Sequence, residues 1–299
     1  MTLNLARTMG RDQLAAMPTR ARRRYGLKTT SVVVLLVLLY VVQAFLRNPA
    51  IEWDVVGQYM FSARILHGVW ITLLLTGVGM AVGVVLGVVI ALMRLSNNRI
   101  LEGAATVYVW FFRGIPQLVL LVLAYNFSLF YAHISLGVPY GPELFSVRTN
   151  VLLSPIVAAV LAFALNESAF SSEIIRAAIL SVPKGQRAAA TAMGMTPVAI
   201  YRRVILPQAL RMSVPPLSND VITTLKTTSL VAFIGVSDLM YTVQSQYQAN
   251  FKIVPLLMVG AIWYLVLVSL LTVLQSLLEQ FLGKKGLWVQ QSKPPKEHN

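Results

Sequence analysis

The stretch Gly185-Gln186-Arg187-Ala188-Ala189-Ala190-Thr191-Ala192-Met193-Gly194 is followed, after a gap of nine residues, by Val204-Ile205-Leu206-Pro207. It is polar and rich in small residues, and long apolar runs lie on both sides of it. A membrane-embedded chain that keeps such a segment at the water interface usually presents it to a soluble partner. The stretch therefore predicts a membrane protein that is driven by another, soluble chain.

The composition supports a membrane location. Of the 299 residues, 57% are hydrophobic and only 12% are charged, which is typical of an integral membrane protein. The length accommodates one domain of about six spanning helices at roughly 20 residues each. Cys is absent, which excludes disulfides and thiolate chemistry. His67, His133 and His298 have no metal-ligand spacing, so we expect neither a metal nor a cofactor.

The net charge of +14 does not indicate nucleic-acid binding. The basic residues cluster at the ends of apolar runs and form no stripe with interleaved aromatic residues. Their expected partners are anionic lipid headgroups on the cytoplasmic side.

Apolar runs define the predicted topology. A basic arm at 1–28 precedes a first span at 29–46, and no convincing signal-peptidase site follows it. Five further spans are predicted at about 65–93, 115–132, 151–178, 204–225 and 254–282. Bases concentrate in alternate connections, whereas Glu52, Asp54 and Glu143 lie in the others. This asymmetry predicts a multi-pass plasma-membrane protein with both termini in the cytoplasm.

Glycine and proline mark irregular or closely packed segments. Gly77, Gly79, Gly83 and Gly87 in the second span predict close packing against another helix, unless they are incidental on a lipid-facing surface. Residues 99–112 predict an interfacial helix that Arg113-Gly114-Ile115-Pro116 ends. The fifth span is predicted to be interrupted at Pro215, Pro216 and Asp220.

The segment at 181–207, called the 181–207 loop below, predicts two short helices joined by a sharp turn. Pro183 suits a first helical turn, and Gly194 suits a left-handed C-terminal position. Thr196 and Pro197 predict a second start, and Pro207 opens the next span. The alanines at 188, 189, 190 and 192 would form a shallow surface that a partner's groove can cover. An alanine-rich interfacial helix bound only to lipid is the alternative.

This pattern resembles the signature loop of ABC-importer permeases, which reads Glu-Ala-Ala, three residues, Gly, nine residues, Ile, one residue, Leu-Pro. Ala189, Ala190, Gly194, Leu206 and Pro207 match it at the same spacing. The two departures are Ala188 in place of Glu and Val204 in place of Ile.

Three more segments resemble the polar amino-acid uptake branch of that family. Residues 112–116 are similar to its Phe-Arg-Gly-Thr-Pro element, and residues 169–176 to its Ala-Tyr-x-x-Glu-x-x-Arg element. Residues 225–230 are similar to Leu-Lys-Asp-Thr-Ser-Leu, here without the Asp. Together the matches cover about residues 65–280.

The resemblance implies an all-α membrane fold, with a type I ABC-importer permease core of about five helices at 65–282 and an extra N-terminal helix and external loop at 29–64. Residues 1–28 and 283–299 would be cytoplasmic. The implied partners are cytoplasmic ABC ATPase subunits, a second permease subunit, an extracytoplasmic amino-acid-binding protein and membrane lipid. The ATPase-coupling residues implied are Lys184, Gly185, Gln186, Arg187, Ala188, Ala189, Ala190, Gly194, Leu206 and Pro207.

Polar residues inside the spans are candidates for a substrate pathway, because a charge within a bilayer usually faces a cavity or a partner. The candidates are Asn166, Glu167, Phe170, Asn219, Asp220 and Thr223. Thr227 could join them or bond freed backbone groups. A buried carboxylate would favour basic or neutral amino acids; the alternative is that Glu167 pairs with Lys226 or Arg113.

A structural or gating role is predicted for Arg113, Glu173, Arg176 and Lys226, and Glu173 and Arg176 can pair on one helix face. No Gly-x-x-x-x-Gly-Lys phosphate loop occurs in the sequence, so ATP hydrolysis is expected in a partner chain. The chain is predicted to be an importer permease for polar amino acids and not an enzyme. A self-contained ion-coupled transporter and a membrane anchor for a cytoplasmic complex are the alternatives.

Overall fold

The computed structural model describes residues 25–137 and 143–284, which divide into two units between Ile51 and Glu52. In the first unit, helix α1 (Tyr25–Leu46) is followed by a 3-10 turn at Pro49–Ile51. From Val32 to Leu46 its large apolar side chains are about half exposed on every face. That pattern is typical of a helix surrounded by lipid.

The second unit is built from helices and one β-hairpin. Its helices are α2 (Trp53–Met60), α3 (Ala63–Arg94), α4 (Arg99–Gly114), α5 (Gln117–Tyr125), α6 (Thr149–Leu152), α7 (Pro155–Leu180), α8 (Lys184–Ala192), α9 (Pro197–Ile200), α10 (Leu206–Thr227), α11 (Leu239–Asn250) and α12 (Ile253–Lys284). Strands β1 (His133–Gly137) and β2 (Glu143–Arg148) pair antiparallel. Short 3-10 segments lie at Phe127–Leu129 and Thr228–Ile234, and a π-helical turn lies at Tyr201–Ile205.

The number of spans agrees with the expectation of about six. Three helices of the described residues are long and apolar enough to cross a membrane, and the number rises to six if each of three bent pairs counts as one span. Helices α4 and α5 form one such pair, bent by 100°. The predicted break at residues 113–116 is confirmed: α4 ends at Gly114, and Pro116 caps α5.

Helices α3 and α7 pack at close range along a row of glycines. A Cβ built on Gly79 would lie 3.1 Å from the Cβ of Phe163, and one built on Gly83 would lie 2.7 Å from the Cβ of Glu167. The prediction of close packing is confirmed for Gly79, Gly83 and Gly87. It is wrong for Gly77, where a Cβ would meet nothing within 4 Å. Gly77 falls outside the four-residue repeat that defines the contact face.

The predicted interruption at Pro215, Pro216 and Asp220 is wrong. Helix α10 runs unbroken from Leu206 to Thr227 with both prolines inside it. Proline has a helix-compatible φ, and adjacent prolines remove only two N–H donors, which neighbouring groups in a membrane bundle can offset. The chain instead bends by 47° further on, after the 3-10 segment Thr228–Ile234, which Gly235 follows with a φ of 75°.

Several elements were not predicted. The hairpin β1–β2 and the helices α2 and α11 fill connections that the sequence left unassigned. Asp238 starts α11 by accepting a hydrogen bond from the Tyr241 N–H at 2.8 Å. The core of the second unit, which includes Leu75, Leu121, Phe163 and Val231, joins α3, α5 and α7 to the 3-10 segment before α11.

Candidate functional site

A cavity of about 240 Å³ opens beside the α4–α5 break, between α7 and α10. Eight of its ten lining residues are polar or charged, although it lies among the apolar spans. The lining residues are Arg113, Ile115, Gln117, Asn166, Glu167, Phe170, Asp220, Thr223, Thr224 and Thr227. On α10 the four lining residues follow an i, i+3, i+4, i+7 spacing, so one face of that helix forms the wall.

Glu167 lies at the back of the cavity and is only 7% exposed. One carboxylate oxygen accepts a hydrogen bond from the Ser171 hydroxyl at 2.9 Å, and the other accepts one from the Thr224 hydroxyl at 3.4 Å. Gly83 of α3 packs directly against the Glu167 side chain. Glu167 takes part in none of the ion pairs within residues 25–137 and 143–284. The alternative pairing with Lys226 or Arg113 is therefore wrong, because hydroxyl groups occupy those positions around the carboxylate.

Asp220 brings a second carboxyl group into the same cavity. Its Oδ2 atom is buried and has no hydrogen-bond partner among the described residues. A buried acceptor without a partner is costly, so it favours a donor that enters the cavity. Two carboxyl groups against the single guanidinium of Arg113 make the cavity suited to a positively charged group.

The α4–α5 break forms the opposite wall. The Asn166 side-chain N–H donates to the Phe112 carbonyl at 2.8 Å, just before the chain turns. The Arg113 guanidinium lies over the Phe170 ring, 4.9 Å from its centroid, at a cation–π distance. These two contacts tie the break to α7 and fix the shape of the cavity.

Five of the six predicted pathway residues line this one cavity: Asn166, Glu167, Phe170, Asp220 and Thr223. Asn219 lies outside the lining and is exposed. The sequence prediction missed Ile115, Gln117 and Thr224. Thr224 follows Asp220 by four residues, so helical periodicity could have found it, whereas Gln117 is brought in by the bend.

An ion cluster joins the ends of α3 and α7. Arg94 pairs with Glu173, and the Arg176 guanidinium donates to the other Glu173 oxygen at 3.0 Å. The predicted Glu173–Arg176 contact is confirmed, and Arg94 is an additional member. Lys226 is exposed and lies apart from this cluster, and Arg113 lines the cavity instead.

Local capping chemistry shapes the 181–207 loop. Gly194 has a φ of 74°, and the hydrogen bonds Gly194 N–H to Thr191 O and Met195 N–H to Ala190 O form a Schellman end to α8. The Thr196 side chain accepts from the Ala199 N–H and starts α9. Pro183 lies one position before α8 instead of in its first turn, and its carbonyl accepts from the Gln186 N–H.

One predicted surface residue of the loop is buried. Ala190 is 5% exposed and packs with Ile179, Ile200 and Ile205 in a cluster that also takes in residues of α7 and α10. The expectation that it faces outward is wrong, because helical spacing places it on the inner face of α8. Ala188 and Ala189 are exposed.

Two side-chain contacts fasten α8 to the segment that follows. The Arg187 guanidinium donates to the Tyr201 hydroxyl at 3.1 Å and lies 5.2 Å from the centre of its ring. Gln208 donates to the Gln186 side-chain oxygen at 2.6 Å. The loop is therefore held against the C-terminal end of α7 and the N-terminal end of α10.

Spanning helices around a polar cavity are typical of a membrane transport protein. A family model described as binding-protein-dependent transport system inner membrane component matches residues 83–284. An arginine transport system permease protein of Corynebacterium glutamicum is 39% identical over 273 residues, which cover 91% of this chain and 84% of the relative. An L-cystine transport system permease protein of Bacillus subtilis is 39% identical over 239 residues, covering 79% and 94%.

A solved structure, described as an amino acid ABC transporter with histidines, contains a chain that superposes with a TM-score of 0.65 at 31% identity. The match covers 75% of this chain and 97% of that one. The chain belongs to the family of inner-membrane components of binding-protein-dependent transport systems. It is a permease subunit of an ABC importer with the type I fold, and a separate subunit hydrolyses ATP. Family membership rules out the ion-coupled transporter and the simple anchor.

Proposed function

We propose that this permease subunit imports polar amino acids, with a preference for cationic and neutral ones, through the cavity between α7 and α10. The observation that carries the proposal is the pair of carboxyl groups, the buried Glu167 and the partly buried Asp220, in a cavity of about 240 Å³. Every amino acid brings an ammonium group, and a cationic side chain brings a second positive charge. Acidic amino acids would be opposed by both carboxylates.

The names of the relatives support this substrate class. Both are amino-acid permeases, one for the cationic arginine and one for cystine. The cavity volume supports it as well, since it is of a size to hold one amino acid. Thr223, Thr224 and Gln117 supply hydroxyl and amide groups that can bond a carboxylate or a polar side chain.

The 181–207 loop is proposed to dock on the cytoplasmic ATPase. In this arrangement both termini are cytoplasmic, the 1–28 arm and the 283–299 tail included, and residues 65–282 form the importer core. Residues 29–64 supply the extra span and an external loop. A second permease subunit completes the membrane portion, and an extracytoplasmic binding protein delivers the substrate. Alternation between outward and inward access would then follow ATP-driven movements of the attached subunits.

The test is uptake by the reconstituted complex in proteoliposomes, with lysine, glutamine and glutamate as competing substrates. Glu167→Gln should weaken lysine competition most and glutamate competition least, because only the charge is removed. Glu102→Gln, a carboxylate exposed at the start of α4, is the matched control and should leave the profile unchanged. Identical profiles for Glu167→Gln and the parent protein would remove this cavity from the pathway.

A further inference from the structure

The exposed surface of the 181–207 loop carries only positive charge. The sequence from Ile174 to Asn219 contains no Asp or Glu. The same interval contains six basic residues: Arg176, Lys184, Arg187, Arg202, Arg203 and Arg211. Lys184, Arg187, Arg202 and Arg203 are exposed. No acidic neighbour within the loop can neutralise them.

Two large apolar side chains of the same loop are strongly exposed. Met193 is 82% exposed and Val198 is 75% exposed, on either side of the left-handed turn at Gly194. Large apolar side chains that are this exposed in a polar loop are typical of a contact surface. We call Met193, Val198, Lys184, Arg202 and Arg203 the loop face.

The segment that carries the loop face is packed against the rest of the protein. Ala190 anchors α8 to the interior, and the Arg187–Tyr201 contact fixes α8 against the π-helical turn. A surface that is already ordered loses little conformational entropy on binding, which favours a shaped protein groove as the occupant.

We infer that the ATPase groove that receives this loop has an apolar floor and a rim of carboxylates. This rests on the proposed docking of the loop and adds the chemistry of its partner. Ala188 occupies the position where the signature pattern has an acid, so a basic group in the groove would meet only positive charges here. Carboxylates at the rim instead complement Lys184, Arg202 and Arg203 and fix the register, while Met193 and Val198 fill the floor.

The test measures how much ATPase subunit stays with the affinity-purified complex in detergent. The double variant Lys184→Glu/Arg203→Glu should reduce retention at least tenfold, and lysine substitutions at the carboxylates of the ATPase groove should restore it. The control Arg64→Glu/Arg99→Glu changes two exposed arginines outside the loop and should retain the ATPase. Unchanged retention in the loop variant, or a loss that no groove substitution restores, would overturn the inference.

Two further arms separate the remaining explanations. The complex is reconstituted in vesicles of phosphatidylcholine alone or with phosphatidylglycerol. If the loop variant loses ATPase only where phosphatidylglycerol is present, the charges bind lipid and the inference fails.

Met193→Asp tests the docking itself. If this variant releases the ATPase while the charge reversal does not, the proposed docking is supported and only the acidic rim is wrong. If neither variant releases it, the proposed docking fails too.

Discussion

Gly83 on α3 lies directly against the side chain of Glu167 on α7, so closely that a Cβ on the glycine would lie 2.7 Å from the Cβ of the glutamate. The missing side chain lets the two helices approach at the depth where the carboxyl group faces the cavity. The close packing of α3 against α7 therefore also sets the position of the Glu167 carboxyl group in the cavity.

This relationship predicts the effect of a single methyl group. Gly83→Ala would force α3 and α7 apart or displace Glu167, because the neighbouring atoms belong to the inner part of a side chain and to backbone. We expect a loss of about 1–3 kcal/mol in the free energy of unfolding and reduced uptake. Gly77→Ala is the control, since its Cβ meets nothing within 4 Å. Thermal unfolding in detergent measures both; equal melting temperatures for the two variants would contradict the packing.

The second carboxyl group of the cavity should affect substrate charge. Asp220→Asn leaves the shape of the cavity almost unchanged and removes one negative charge. We expect the KM for a cationic amino acid to rise about tenfold, because one hydrogen bond to a charged group, worth about 1.5 kcal/mol, is lost. The KM for a neutral amino acid should change less. Asn219→Ala, at the exposed neighbour outside the lining, provides the comparison. An equal rise for both substrates would show that Asp220 has a structural role only.

Burial separates two adjacent alanines of the loop. Ala190→Leu should lower the free energy of unfolding by about 1–3 kcal/mol, because the added atoms enter a filled cluster beside Ile200 and Ile205. Ala189→Leu lies on the exposed side and should leave stability nearly unchanged while hindering a partner. Melting temperature and ATPase retention, measured on both variants, distinguish the two effects. If Ala189→Leu were the more destabilising, the orientation of α8 would be wrong.

Tyr201 should influence how efficiently ATP hydrolysis is used. Tyr201→Leu removes the hydroxyl group that accepts a hydrogen bond from Arg187 and the ring that the guanidinium contacts. The contact with the ring alone is worth about 0.5–1 kcal/mol. A looser α8 should raise the ATP consumed per amino acid imported about twofold to fivefold. Tyr201→Phe keeps the ring and should show a smaller rise. The ratio is measured in proteoliposomes, and an unchanged value for the leucine variant would argue against this fastening role.

The elements that the sequence predicted well depend on local chemistry. Gly194, Thr196 and Pro197 act through hydrogen bonds and dihedral angles within a few residues, so their roles can be read from neighbours in the chain. The turn at residues 113–116 is of the same kind, because proline restricts the residue before it. The opposite result at Pro215 and Pro216 shows the limit: whether a proline breaks a helix depends on what surrounds it.

The sequence by itself determined the membrane class, the approximate spans and the two short helices of the 181–207 loop, because apolar length, charge asymmetry and capping are properties of short segments. It also identified five residues of the cavity, four of which carry polar side chains that are costly inside a bilayer. Only the tertiary structure decided that Thr224 bonds Glu167, that Arg94 joins Glu173 and that Ala190 turns inward. The first two contacts join residues distant in the chain, and Ala190 packs against residues of other elements, so no local preference encodes these partners.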